Sequence, residues 1–108
     1  MSFRSLLVAC LVIAGAARAQ SPAEHIALGD SAYAHFKPDE ALTHYIEAIG
    51  PDSSSYEALW KAARSEIDLA EAEKDESRRN QFSIAGEALA RRAMAQEQGQ
   101  DDRQPKIE

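Results

Sequence analysis

Cysteine is nearly missing from this 108-residue chain, whose only thiol is Cys10. A lone cysteine can neither close an internal disulfide nor build a thiolate metal site, so stability has to come from packing. Basic residues are also few, with 12 Lys and Arg against 18 Asp and Glu. That balance argues against nucleic acid and anionic membrane surfaces as partners, and it permits basic ones. There is no glycine-rich phosphate loop, no nucleophile elbow and no HExxH spacing, so neither an enzyme nor a cofactor is expected. The histidines are His25, His35 and His44. None forms an i, i+4 pair, so no metal site is expected. Asp39-Glu40 and Asp101-Asp102 are adjacent acids that cannot share a helix face. They read as helix-start electrostatics and a solvated tail.

Long apolar runs are absent except at 6–17 in "MSFRSLLVACLVIAGAARAQ". A basic residue, Arg4, precedes that run, and Ala17-Arg18-Ala19 follows it with a small-x-small pattern, the layout of a signal peptide. Twelve apolar residues are short of the roughly 20 that a membrane helix needs. Cleavage after Ala19 would leave 89 residues without a thiol, carrying 10 basic against 18 acidic side chains. The expected location is periplasmic or secreted. Membrane attachment is expected only if the segment stays uncleaved; the lipoprotein-like "LVAC" comes too early in the run.

The remainder reads as four helices. "SPAE" is a capping box, with Ser21 as cap, Pro22 in the first turn and Glu24 reaching back. Ile26, Ala27, Tyr33 and Ala34 recur at helical spacing, which predicts a helix to about His35. Phe36-Lys37-Pro38 interrupts it, and Pro38 opens a second helix with the stripe Ala41, Leu42, Tyr45, Ala48 and Ile49. Gly50-Pro51 is the expected stop, with Gly50 as a left-handed cap. Ser54 and Glu57 repeat the capping-box spacing before a third helix that reaches about Ala72. "EKDESRRN" reads as a polar connection, and Phe82, Ile84, Ala85, Ala88, Leu89, Ala93 and Met94 mark a fourth helix. The fold class expected is all-α. Residues 1–19 form the signal peptide, 20–96 two helical hairpins (about 21–52 and 53–96), and 97–108 a disordered tail.

Small residues recur where paired helices would touch: Leu28-Gly29, then Ala41, Tyr45 and Ala48. This pattern resembles the tetratricopeptide repeat, over about 30 residues. His25 stands where the motif has tryptophan, and Ala32 where it has tyrosine. "YEALWKAARSEIDLAE" with "GEALARRAMA" resembles exported bacterial tetratricopeptide proteins, with Ala63, Gly86, Ala90 and Ala93 in the small places and an 11-residue insertion near "EAEKDESRRNQ". The resemblance implies a short α-solenoid that binds a protein or peptide on its concave face. The facing positions it implies are Ile26, Asp30, Tyr33, Glu57, Trp60, Arg64, Ile67 and Asp68. Alternatives are a self-associating or membrane-anchored structural protein, or the N-terminal part of a longer array. Trp60 could instead pack in the core between the hairpins, Arg64 could simply pair with Asp68 along the helix, and "RRNQ" and "ARRA" read as solvated helix surface.

Overall fold

The computed structural model describes residues 20–50 and 55–103, with side chains to residue 99. The expected signal peptide, Pro51, Ser54 and residues 104–108 lie outside the described residues. The described residues form four helices in order: α1 (Pro22–Ala34), α2 (Pro38–Ile49), α3 (Tyr56–Ala72) and α4 (Glu76–Arg103). The fold is all-α, and each helix packs on the next in sequence. Among the described residues, no helix is long and apolar enough to cross a membrane.

The α1 boundary follows its sequence signals. Ser21 Oγ accepts the Glu24 backbone N–H at 3.2 Å, and Pro22 occupies the first turn, where a missing donor costs nothing. At the other end, Lys37 N–H bonds Ala32 O and Phe36 N–H bonds Tyr33 O, both at 3.0 Å. This pair is the Schellman closure, which needs a left-handed residue just past the helix. Glycine normally fills that position. Here it is Phe36, at φ 60°, the only non-glycine residue with positive φ among those described.

Packing of α1 on α2 depends on Gly29. A Cβ at that position would overlap the Tyr45 ring and lie 2.7 Å from its Cδ1. Without one, α2 comes close enough for Tyr45 to be completely buried, together with Ala41 and Ala48. Leu59, Ala58 and Ala62 of α3 and Leu89 and Ala93 of α4 extend the same core. Its composition is largely alanine, so two large side chains, Tyr45 and Leu59, supply much of the burial, about 1.5–3 kcal/mol each.

Several expected boundaries move. Gly50 lies in the right-handed helical region, at φ −51° and ψ −53°, and is not a left-handed cap. Lacking a Cβ, it tolerates a helical conformation before proline that other residues resist. Ser55, not Ser54, caps α3, accepting the Ala58 N–H at 3.3 Å. The polar connection shrinks to residues 73–75, because Asp75 starts α4: its Oδ2 accepts Arg78 N–H at 3.0 Å and its carbonyl accepts Arg79 N–H at 2.9 Å. Arg78 and Arg79 are not merely solvated surface. Arg79 donates to the carbonyls of Glu73 and Lys74, and Arg78 lies 3.6 Å from the Glu73 carboxylate, so together they staple the turn. The segment expected to be a disordered tail is helical from residue 97 through Arg103. Once a helix has been nucleated, each added residue costs little, and Gln, Glu and Arg are good helix formers. The second pair of helices is the longer: α3 and α4 have 17 and 28 residues, against 13 and 12 for α1 and α2.

Candidate protein-binding groove

Side chains from α1 and α3 meet along one seam. Asp30 and Tyr33 on α1 face Lys61, Arg64 and Asp68 on α3. Lys61 Nζ lies 2.9 Å from both Asp30 oxygens and 2.8 Å from Glu57. Asp30 Oδ1 also accepts the Tyr45 hydroxyl at 2.6 Å. Burial would raise the Asp30 pKa, but the bonds from Lys61 and Tyr45 outweigh it and hold the carboxyl below its ordinary range. Burial would likewise lower Lys61, and its two carboxylate partners reverse that and hold it above its usual value. Burial, and then the contact with Asp30, push the Tyr45 hydroxyl well up. The side chains of Asp30 and Glu57 are about half exposed, so solvent screening limits each ion pair to about 1 kcal/mol or less.

The second half of the seam is built around Tyr33. Its hydroxyl donates to Asp68 Oδ2 at 2.8 Å, and that bond, with burial, raises its pKa. The Arg64 guanidinium stacks over the Tyr33 ring at 3.5 Å and stands 5.1 Å from the Trp60 ring. Asp68, the alternative partner of Arg64 along the helix, is therefore engaged by a tyrosine from another element. The Arg64 Nε is buried with no hydrogen-bond partner among the described residues.

Beside the seam, between α3 and α4, runs an apolar groove of about 340 Å³. Ala63, Ala90 and Ala93 line it, Trp60, Ile67 and Met94 stand along it, and Arg64, Asp68 and Glu97 add charge. Trp60, Ile67 and Met94 are 36%, 46% and 59% exposed, unusually open for large apolar side chains. Gly86 lets α4 approach α3 below them, since a Cβ there would sit 3.2 Å from Glu66 Cβ. At Asp68 the groove adjoins a second hollow of about 280 Å³, lined by Tyr33, Phe36 and Pro38. Phe36 is 92% exposed.

Of the eight facing positions expected from the resemblance, the structure brings Asp30, Tyr33, Arg64 and Asp68 into the seam and Trp60 and Ile67 to the groove. Glu57 is exposed and tied to Lys61. Ile26 is half-buried and packs against the core, so it offers a partner little. Trp60 is not a core residue. Sequence reasoning missed Phe36, Met94 and Lys61. The only available signal for Phe36 was an aromatic residue in the tight turn before a proline. Comparison with protein-family models, curated proteins and solved structures finds no match to this chain.

Proposed function

We propose that this chain is a non-catalytic protein-interaction module, a short tetratricopeptide-like stack of two helical hairpins. It acts outside the cytoplasm and takes a helix of another protein in the groove between α3 and α4. The observation that carries this reading is the cluster of Trp60, Ile67 and Met94, three large apolar side chains left open along one groove. Apolar side chains gathered in one hollow favour removal from water, and aromatic and arginine residues dominate binding energy at interfaces. The alanine lining leaves room for the ridge of an incoming helix. Phe36 supports the same reading. A bulky residue in the left-handed region is strained by roughly 1–2 kcal/mol, and strain of that kind concentrates at functional sites. The polar groups of the seam engage one another, Lys61 with Asp30 and Glu57, Tyr45 with Asp30 and Tyr33 with Asp68, which leaves the apolar groove beside them as the open surface.

The test is a double variant, Phe36→Gly with Trp60→Ala. Both side chains are accessible, and glycine suits the Phe36 backbone, so the fold should persist. Crosslinking in envelope extract, followed by mass spectrometry, should recover a specific partner with the wild type and lose it with the folded variant. Unchanged partners would remove the groove from the reading. Light scattering distinguishes a second copy as occupant: a dimer that the same substitutions abolish assigns the groove to self-association.

A further inference from the structure

Away from the seam and the groove, the first hairpin gathers metal-ligating atoms. His25 on α1 and His44 and Glu47 on α2 each offer one ligand atom, all within 4.8 Å of one another. His25 Nδ1 lies 2.9 Å from Glu47 Oε2, and His44 Nδ1 lies 3.9 Å from the same oxygen. The two imidazole rings stand at an interplanar angle of 28°, with centroids 6.4 Å apart. Both Nδ1 atoms are buried, and neither has a hydrogen-bond partner among the described residues; the 2.9 Å approach is not aligned as a hydrogen bond. Buried polar nitrogens without partners are uncommon in folded proteins and call for an explanation.

We propose that His25, His44 and Glu47 bind a divalent transition-metal ion, with zinc the best match. Tetrahedral zinc bonds of about 2.0–2.1 Å place neighbouring donors about 3.3 Å apart. The two observed separations bracket that figure, and all three donors lie within 4.8 Å, so side-chain rotations that move ligand atoms by about an ångström would complete three corners of the polyhedron. Two neutral imidazoles and one carboxylate form a donor set that suits zinc better than magnesium or calcium, which prefer all-oxygen shells. A water molecule or a group from another molecule would take the fourth corner. One ligand comes from α1 and two from α2, so the ion would tie the first hairpin together and stabilise the folded chain through linkage.

Calorimetric titration of the full chain with zinc chloride tests this, alongside cobalt(II), whose visible absorption reports tetrahedral ligation. One equivalent of either ion should bind, with an intense cobalt spectrum and a raised melting temperature. His25→Ala, His44→Ala and Glu47→Gln should each weaken binding at least about tenfold, since even outer-shell partners are worth about 10- to 100-fold. Glu47 is half exposed, so Glu47→Gln keeps the fold and guards against loss by unfolding. Absence of saturable binding, or binding unchanged in Glu47→Gln and His44→Ala, would overturn the site.

Discussion

Gly29 and Tyr45 act as one contact: the glycine leaves the space, and the ring fills it. The spacing Leu28-Gly29, Ala41, Tyr45, Ala48 exposes this relation in the sequence, because close-approach residues recur at the period of the helix. Gly29→Ala should therefore destabilise the chain, although alanine is the better helix former by about 1 kcal/mol. The added Cβ meets a fully buried ring whose hydroxyl is tied to Asp30, and overpacking of this kind costs about 1–3 kcal/mol. Thermal unfolding followed by circular dichroism should show a lower midpoint, and an unchanged or higher one would mean the ring can move aside. Phe36 is the opposite case. A left-handed helix cap normally announces itself with glycine, so nothing in the sequence reveals that Phe36 adopts that conformation and exposes its ring.

At the level of elements, the existence and order of the four described helices were legible, and their ends were less so. Apolar periodicity fades after Met94, yet α4 continues to Arg103 because helix propensity alone sustains it. Its start was hidden among charges. In "EKDESRRN" any of several residues could have been surface, and only the structure singles out Asp75 as the cap and Arg79 as the staple of the turn. Asp75→Ala should cost about 1 kcal/mol, the usual value of an N-cap. Urea unfolding would register the loss as a lower midpoint with an unchanged slope, whereas a midpoint equal to that of the wild type would show that the arginine contacts hold the turn unaided.

Across the whole molecule, two carboxyls, the buried Glu66 and the half-exposed Asp30, pull stability in opposite directions with pH. Glu66 is only 9% exposed, its Oε2 has no hydrogen-bond partner among the described residues, and burial raises its pKa above the ordinary 4.5. Folding favours its protonated form, so its contribution is fully present below pH 4.5 and is lost as pH rises through the raised value. Asp30 behaves the other way. Its stabilisation holds above the ordinary value of 3.8 and disappears as pH falls through the lowered one. Glu66→Gln should thus leave stability near pH 4 little changed and raise it at pH 7 by about 1 kcal/mol, the scale of a buried unsatisfied group. Melting curves at the two pH values would decide the matter, and an equal shift at both would rule out ionisation as the cause. The amino-acid sequence by itself determined the helical class, the helix order and the small residues on which the first hairpin closes, because these follow from local periodicity and side-chain size. Tertiary structure alone decided which side chains meet from different helices: Tyr33 with Asp68 and Arg64, Lys61 with Asp30, His25 with His44, and the open groove beside Trp60. Those meetings depend on how helices of unequal length are rotated and aligned against one another, and residue spacing within a single helix does not encode that.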